Sequence, residues 1–409
     1  MASRKDKYGK ALQKCEYQRK DGRYVYAYTN EEHKRVYVYA NTLEDLRKKE
    51  RAILMSSWNG IEKLGEKVTL NILYERAMKL KIGIKKSTYA SYRQMYDNHV
   101  RDGFGKRDIQ EIRYSDVIAF YNQLLREKNL GIKSVQHIHA QINSAFQLAV
   151  QDGLILRNPA EGSYGYIKRS GGLHERKIRA LTLDEQREFI EFINEHPIWG
   201  RYHSIFAVML GTGLRVGELC GLRWEDIDLD NRTIRIDHTL VHVKPIKGEA
   251  KEVVTISTPK TKCGVRNVPM MLPVVAAFME EYKIAKAKKF KTVTVDGYND
   301  FIFTQENGNV YSSIRLDLAL KKIVEAYNRQ EEQIAAVENR RPHYLPHISN
   351  HMLRHTFCTR LCERDVNIKV IQTVMGHASI NITLDIYAEV SREKQIKEID
   401  KLAAEIDVF

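Results

Sequence analysis

The stretch TGLRVGEL, residues 212–219, is the part of the sequence from which the fold is inferred. It places Arg215 and Glu218 three residues apart, so that both side chains lie on one face of a helix. Three further clusters carry cationic or proton-transferring side chains: TPKTKCGVRNVP (258–269), HMLRH (351–355) and MGH (375–377). Two arginines, a lysine and two histidines suit a phosphodiester, because guanidinium groups bind its non-bridging oxygens in pairs.

Each cluster alone has a more common structural explanation. An arginine and a glutamate three residues apart usually form a structural helix pair, a histidine after a glycine often caps a helix, and a lysine in a basic turn is usually solvated. Their joint order is far more specific: Arg, Lys, His-x-x-Arg, Gly-His and then a tyrosine near the carboxyl terminus. This order resembles the tyrosine recombinases, the phage integrase family, and especially the integrases of conjugative transposons and related Gram-positive phages.

The resemblance implies a role for each matching residue. It assigns catalytic roles to Arg215, Lys260, His351, Arg354 and His377, a supporting acidic role to Glu218 and the nucleophile to Tyr387. Tyr387 follows Gly-His by ten residues, where many relatives have nine, and the longer gap fits the transposon-type subgroup. Lys262 lies in the same turn as Lys260, so the choice of general acid between these two lysines stays open.

The resemblance also implies a mechanism that agrees with elementary chemistry. Tyrosine has an unperturbed pKa of about 10, so it attacks well only after losing its proton in a positive field, which His351, Arg215 and Arg354 are expected to supply. A lysine of lowered pKa protonates the leaving 5′-oxygen. The product is a 3′-phosphotyrosyl enzyme, and strand exchange passes through a Holliday junction. No metal, ATP or other cofactor is expected, since neither a P-loop nor a carboxylate cluster for Mg²⁺ is present.

The composition agrees with a DNA-acting protein. The 409 residues are 43% hydrophobic and 29% charged, as in globular chains, and the formal net charge is +14. Such a surplus attracts nucleic acid before any specific contact forms. Five cysteines imply no disulfide framework, and the longest apolar run, 205–210, is too short to cross a bilayer. We therefore expect a soluble, cytoplasmic protein without membrane contact.

The amino-terminal 60 residues predict a small sheet. Residues 23–28 and 35–39 alternate as two strands, residues 14–20 offer a third, and Thr42 caps a helix that runs through Leu54. A basic sheet of this kind is a candidate DNA reader, although it could also be a small core with solvated charges. The candidate DNA contacts are Arg19, Lys20, Arg23, Tyr24, Tyr26, Lys34 and Arg35.

The remaining chain is mostly helical. The predicted fold class is multidomain: a small β-sheet plus helix arm-binding domain, an all-α core-binding domain, and a mixed, mainly-α catalytic domain with a small antiparallel sheet. The predicted ranges are 1–60 for the arm-binding domain, 66–160 for the core-binding domain, 161–180 for a basic linker and 181–409 for the catalytic domain. Lys168 and Arg169 in the linker are further candidate DNA contacts. Residues 391–409 predict an amphipathic tail helix, packed on a neighbouring protomer or on its own domain.

The expected partners follow from the resemblance. They are double-stranded DNA at core and arm sites, a homotetramer on paired sites, an excisionase and a host DNA-bending protein. The alternative functions are a catalytically inactive DNA-binding regulator and a type IB topoisomerase-like enzyme. A competing zinc site would use His347, His351 and His355 at successive four-residue steps, whereas Cys358 and Cys362 are expected to pack in the core.

Overall fold

The structure is a computed structural model that describes residues 4–29, 35–58, 67–170, 179–243, 245, 253–259, 262–287 and 293–391. The chain divides into two compact units, residues 1–175 and residues 176–409. Within the ranges described, no helix combines the length and apolar character that crossing a bilayer requires.

A three-stranded antiparallel sheet opens the first unit, in the order β1 (Glu16–Gln18), β2 (Tyr24–Thr29) and β3 (Arg35–Ala40). The helix α1 (Leu43–Trp58) follows it, and Thr42 caps this helix by accepting a hydrogen bond from the Asp45 backbone at 3.1 Å. The sheet and its helix therefore form where the alternating pattern and the capping residue predicted them.

Two of the tyrosines predicted to contact DNA are core residues of this sheet. Tyr24 and Tyr26 are 5% and 7% exposed and pack in one cluster with Leu43 and Leu46 of α1. The Tyr24 hydroxyl donates to Asp6 Oδ2 at 2.7 Å. The prediction was wrong for both because the alternating strand turns their side chains to the face that α1 covers.

Four long helices build the rest of the first unit: α2 (Leu70–Leu80), α3 (Lys86–His99), α4 (Tyr114–Arg126) and α5 (Ile132–Gln151). The helix α5 is central and contacts the other three. Its apolar residues recur at three- and four-residue steps, and Val135, Ile138, Ile142 and Phe146 are fully buried. This apolar face of α5 forms the centre of the helical core, because the other helices pack against it.

Part of the predicted basic linker, residues 161–180, is a helix, α6 (Ser163–Ser170). Ile167 is buried in the core of the first unit, and the Tyr164 ring stacks on His139 of α5. The linker prediction was wrong for these eight residues, because two apolar anchors outweigh the glycines around them. Residues 171–178 lie outside the described ranges.

The second unit is mainly helical. Its helices are α7 (Leu183–Glu195), α8 (His203–Thr212), α9 (Val216–Gly221), α10 (Leu272–Ala287), α11 (Ser313–Val337), α12 (Asn350–Glu363), α13 (Ile368–Met375) and α14 (residues 380–391). Thr182 and Glu185 cap α7 reciprocally, because each side chain accepts a hydrogen bond from the backbone N–H of the other residue. The apolar helix α8 is buried at the centre of the core. The predicted tail beyond residue 391 lies outside the described ranges.

Two small antiparallel sheets complete the second unit. One has the order β4 (Ile227–Asp228), β5 (Thr233–Ile236) and β8 (Arg266–Pro269), and the other pairs β6 (Thr239–Val243) with β7 (Val253–Ser257). Asp237 and His238 separate β5 from β6. The His238 ring nitrogens lie 2.7 Å from Asp237 Oδ1 and 2.7 Å from the Gly221 carbonyl, which turns the chain there.

His238 also belongs to the group of potential metal-ligating side chains in the described part of the chain. Its companions are Asp237 and the buried Asp226. Both His238 nitrogens already have close oxygen partners. We therefore interpret Asp226, Asp237 and His238 as a structural hydrogen-bond network that holds Gly221, the last residue of α9, in place.

Candidate active site

The start of α9 brings Arg215 and Glu218 together. The Arg215 backbone N–H donates to Glu218 Oε2 at 2.9 Å, and the Arg215 side chain donates through Nη1 to Glu218 Oε1 at 2.8 Å. Glu218 is buried, which by itself raises the pKa of its carboxyl. Hydrogen bonds from Arg266 and the charges of Arg266 and Arg215 outweigh burial and lower this pKa overall. Glu218 is therefore an anion that orients Arg215.

Arg354 is almost completely buried near the start of α12, with 4% of its surface exposed. Its Nη1 donates to the Gly213 carbonyl at 2.6 Å, and its Nη2 donates to the Met375 carbonyl. Burial and the neighbouring charge of Arg215 lower the pKa of Arg354 to about 9. It remains a cation at neutral pH, because a guanidinium begins far above that range.

The carboxyl end of α13 binds three arginines through three successive carbonyl groups. Such carbonyls lack partners within the helix and carry partial negative charge. The Val374 oxygen accepts from Arg266 Nε at 2.7 Å, the Met375 oxygen from Arg354 Nη2, and the Gly376 oxygen from Arg215 Nη2 at 2.8 Å. One helix end therefore gathers guanidinium groups from α12, from β8 and from the residue before α9.

Two glycines make this arrangement sterically feasible. Gly213 ends α8 and Gly376 ends α13, and both have left-handed φ values of 63° and 62°. A Cβ atom at Gly213 would lie 2.5 Å from the Phe357 ring, and one at Gly376 would lie 3.0 Å from Arg266 Nη1. The Gly213 and Gly376 carbonyls, which accept from Arg354 and Arg215, therefore lie at positions that favour glycine.

His377 follows Gly376 and is buried, with 7% of its surface exposed. Its Nδ1 lies 3.0 Å from the hydroxyl oxygen of Thr383, a fully buried residue of α14. Burial and the charges of Arg354 and Arg215 lower the pKa of His377 to about 4, so the ring is neutral at physiological pH. Thr383 was not predicted, and no sequence signal singles it out.

His351 lies in the first turn of α12 and is exposed. Loss of hydration around the ring, together with the positive charges of Arg354 and Arg215, lowers the pKa of His351. This shift favours the neutral form of the ring, and the contribution of His351 to a positive field stays a prediction. A neutral imidazole at this position is a proton acceptor instead.

The alternative zinc site would need His347, His351 and His355 on one helix, and the structure does not have this arrangement. Ser349 caps α12 by accepting a hydrogen bond from the Met352 backbone at 3.3 Å, so His347 precedes the helix that carries His351 and His355. The three histidines therefore do not line up on one helical face.

Tyr387 lies on α14 and is half-buried. It packs on a cluster that contains Phe357 of α12 and Met375 of α13. Cys358 and Cys362 are buried in the same cluster, as expected for core packing. The helix that bears the candidate nucleophile is thus packed on the two helices that supply Arg354 and the carbonyl groups.

The structure does not show where the side chains of the two candidate lysines in the stretch 258–269 lie. Lys260 lies outside the described residues, and Lys262 begins a single 3-10 turn, Lys262–Gly264, in which its side chain is not described. The choice between them remains a prediction.

Arg266 is the main site residue that sequence reasoning missed. It lies in the quoted stretch 258–269, and its side chain is 3% exposed beside Glu218. One signal could have found it: Arg266 shares a strand face with Val268, which is fully buried. A cation on the core face of a strand requires a buried acidic partner.

The predicted DNA contacts of the first unit divide into exposed and buried positions. The exposed cations of the sheet region are Arg19, Lys20 and Arg23 in the turn between β1 and β2 and Arg35 at the start of β3. Lys168 and Arg169 are exposed at the end of α6, and Lys34 lies outside the described residues. The register pairs Tyr17 with Val25 and Val25 with Tyr39, so these residues share the outer face of the sheet. Tyr17 and Tyr39 are 38% and 41% exposed, which the sequence prediction did not foresee.

Arginines stand beside this outer aromatic face. The guanidinium carbons of Arg19 and Arg23 lie 5.8 and 6.0 Å from the centre of the Tyr39 ring, and Asp21 pairs with both arginines. Exposed aromatic rings with adjacent cations can contact both the bases and the phosphates of a nucleic acid.

The second unit therefore holds a compact cationic centre with one embedded carboxylate. Arg215 and Arg354 each donate two of their five guanidinium N–H groups to carbonyl or carboxylate oxygens of the protein, which fixes both side chains. Fixed donors of this kind stabilise charge on the oxygens of a phosphodiester. With a tyrosine on the adjoining helix, these features are the ones expected of an enzyme that cleaves and rejoins DNA strands.

Comparisons with known proteins agree with this assignment. Three family models match: the DNA binding domain of Tn916 integrase over residues 1–55, the N-terminal SAM-like domain of phage integrases over 73–125, and the phage integrase family over 179–394. The transposase from transposon Tn916 of Enterococcus faecalis is 30% identical over 98% of this chain and 97% of its own length. The ICEBs1 integrase of Bacillus subtilis is 27% identical over 78% of each chain.

A solved structure shares the architecture. A fragment of the Tn1549 transposon integrase, solved in complex with transposon right end DNA, is 28% identical with a TM-score of 0.69. The match covers 82% of this chain and 100% of that fragment. The chain belongs to the phage integrase family of tyrosine recombinases. Its predicted activity, fold class and resemblance to conjugative transposon integrases are confirmed.

Proposed function

We propose that this integrase excises and integrates a conjugative transposon or related element, with Tyr387 as the nucleophile of strand cleavage. The observation that carries the proposal is the convergence of Arg215 and Arg354 on the carboxyl end of α13, directly before His377. It supports a site built around one phosphodiester, because two braced guanidinium groups match its non-bridging oxygens.

The cleavage step exchanges one phosphate ester for another. The Tyr387 oxygen forms a bond to phosphorus while the bond from phosphorus to the 5′-oxygen breaks, leaving a 3′-phosphotyrosyl enzyme. The phenolic proton passes to His351, whose lowered pKa leaves it neutral and able to accept it. Arg215 and Arg354 stabilise the charge that develops on the non-bridging oxygens.

The departing 5′-oxygen takes its proton from Lys260, with Lys262 as the alternative. The new 5′-hydroxyl then attacks the phosphotyrosyl bond of another strand in the reverse reaction, which gives a Holliday junction after one pair of exchanges. His377, held through Nδ1 by Thr383, has Nε2 available for a phosphate oxygen. The phosphodiester energy is conserved, so the reaction needs no nucleotide.

We further infer two classes of DNA site. The arm-binding domain, residues 1–60, takes the distal arm sites through the outer face of its sheet, and the core-binding domain, residues 66–160, grips the crossover site together with the catalytic domain. The net charge of +14 supports extended DNA contact. The assembly is a homotetramer on paired sites in the cytoplasm, with an excisionase and a host DNA-bending protein as accessory partners.

The nucleophile is tested with a nicked suicide substrate that traps covalent protein–DNA adducts. Tyr387→Phe removes only the attacking oxygen, so DNA binding should stay within about threefold while the adduct disappears. Tyr344→Phe, which alters an exposed tyrosine of the same unit, should form the adduct normally. An adduct that persists in the Tyr387 variant would place the nucleophile elsewhere, and an absence of adduct in the wild-type protein would favour the inactive regulator.

The two-site proposal is tested by truncation. Deleting residues 1–60 should preserve cleavage of a short core duplex and abolish retention of arm-site DNA in a gel shift. If the truncated protein retains arm sites as the full chain does, the separate role of the arm-binding domain fails.

A further inference from the structure

We infer that Arg266 is a positioning residue for strand cleavage, which locks Glu218, the end of α13 and the base of the loop bearing Lys260 into one unit. This inference rests on the proposed roles of Arg215 and Tyr387 in cleavage. Arg266 itself is not placed against the phosphate, since its donors are used inside the protein.

The contact between Arg266 and Glu218 is a two-pronged buried ion pair. Arg266 Nη1 donates to Glu218 Oε1 at 3.0 Å, and Nη2 donates to Oε2 at 2.8 Å. Both side chains are nearly inaccessible, at 3% and 7% exposure. A buried carboxylate with a planar fork on one side is held in a single orientation, so its remaining lone pairs face Arg215 in a fixed direction.

Sharing Glu218 between two cations affects the chemistry of Arg215. Arg215 gives only Nη1 of its side chain to the carboxylate, while Nη2 goes to the Gly376 carbonyl. Without Arg266, Glu218 would face Arg215 alone and attract both prongs of its guanidinium. The donors that Arg215 presents to a phosphate would then be drawn away.

Arg266 also holds the end of α13. Its Nε donates to the Val374 carbonyl at 2.7 Å. Gly376 packs directly against the same guanidinium, because a Cβ atom at this position would lie only 3.0 Å from Arg266 Nη1. The next residue along the chain is His377. Arg266 therefore sets where the Gly376 carbonyl and the His377 backbone lie.

The third contact reaches the loop between β7 and β8. Arg266 begins β8, and its Nη1 lies 3.4 Å from the Gly264 carbonyl. Gly264 packs tightly on Pro259, because a Cβ at Gly264 would lie 2.4 Å from the Pro259 Cβ. Pro259 and Gly264, which flank residues 260 and 261, are thus packed against each other, and Arg266 holds Gly264 next to the cationic centre.

The test compares Arg266→Gln and Arg266→Lys in single-turnover cleavage of a core-site suicide substrate. Arg266→Gln should reduce the rate about a hundredfold, while DNA affinity changes by less than threefold. Arg266→Lys retains the charge but not the fork, so it should recover only part of the rate. Arg187→Gln, which removes an exposed arginine, is the matched control and should cleave normally.

A second readout separates positioning from simple stabilisation. The positive charge of Arg266 contributes to the low pKa of His377, so the midpoint of the His377 ring titration by NMR should rise in Arg266→Gln and stay near its original value in Arg266→Lys. A variant that only loosened β8 would melt earlier without changing the titration or the rate of the folded protein.

The outcomes distinguish this inference from the proposed function. Cleavage by folded Arg266→Gln within threefold of wild type, or an unchanged His377 titration, would overturn the role of Arg266. If Arg266→Gln does not fold, Arg266→Lys and Glu218→Gln carry the test, and wild-type rates in both would overturn it. If Arg215→Lys and Tyr387→Phe also cleave at the wild-type rate, the proposed function itself is refuted, and not only the role of Arg266.

Discussion

The amino-terminal sheet and the catalytic unit hold their arginines in opposite ways. On the sheet, Arg19 and Arg23 are about half exposed and have the exposed Asp21 as their partner. In the catalytic unit, Arg354 and Arg266 are buried, and carbonyl groups at helix ends bind them. The first arrangement holds the side chains only by solvent-exposed contacts that are easily exchanged, whereas the second fixes each guanidinium in one place.

This difference matches two kinds of task. A surface that binds DNA gains from many weak, salt-sensitive contacts whose side chains adjust to the groove. A site that stabilises a transition state gains from donors that are already in place, because reorganisation then costs nothing during the reaction. The contrast predicts that substitutions in the two regions change different observables.

The largest effect is expected at the fixed arginines. Arg354→Lys keeps the charge but cannot donate to both the Gly213 and the Met375 carbonyls, so single-turnover cleavage should fall by about a thousandfold. DNA binding in a gel shift should change much less. Arg187→Lys, at an exposed position of α7, is the control, and a cleavage rate for Arg354→Lys within tenfold of wild type would contradict the fixed-donor account.

A smaller effect is expected from the glycine that ends α13. Gly376→Ala forces a strained left-handed residue and pushes a Cβ against Arg266, so cleavage should fall about tenfold to a hundredfold. Gly297→Ala has a similar backbone strain at φ +85° with nothing within 4 Å of its Cβ. It should lose about 1 kcal/mol of stability and keep its cleavage rate. Equal cleavage losses in both variants would indicate a general loss of stability.

The pH dependence of stability reports on the buried charges. The pKa of His377 is about 4 in the folded protein, whereas its ordinary value, which applies to the unfolded chain, is 6.5. Below pH 6.5 the unfolded chain therefore binds the proton more readily than the folded protein does. His377 should therefore lower the free energy of unfolding by about 2 kcal/mol as the pH falls from 7 to 5. Urea unfolding of wild type and His377→Gln measures this, and identical pH dependences would contradict the buried neutral ring.

The smallest effect is expected on the sheet. Arg23→Ala should weaken arm-site binding several-fold and reduce the slope of affinity against salt by about one ion, without changing core cleavage. Tyr39→Ala should also weaken arm binding.

Tyr24→Phe is the internal control, because it loses only the buried bond to Asp6 and should cost about 1 kcal/mol of stability. Weaker arm binding by stable Tyr24→Phe would restore that residue as a DNA contact.

The same contrast explains what could be predicted from sequence. Alternation and capping residues located the amino-terminal sheet and α1, because local patterns determine them. The direction of each strand face was not evident, so Tyr24 and Tyr26 were assigned to the wrong side. The helix α6 was missed because its anchors, Tyr164 and Ile167, contact residues far away in the chain.

In the candidate active site, sequence order predicted the residues to which we assign the chemistry and one support, Glu218, but not the other groups that hold them in place. Arg215, Arg354 and His377 stand in short motifs, whereas their supports are carbonyl groups and buried side chains from other elements. Arg266 contacts Glu218 across 48 positions, and Thr383 contacts His377 from the next helix. Contacts of this kind depend on packing and leave no local pattern.

The most direct test of the central claim is peptide mapping of the covalent adduct on a suicide substrate. After nuclease and protease digestion, mass spectrometry should find a nucleotide linked through its 3′-phosphate to the peptide that contains Tyr387. A link to any other residue, or complete recombination with no covalent intermediate on Tyr387, would contradict the account.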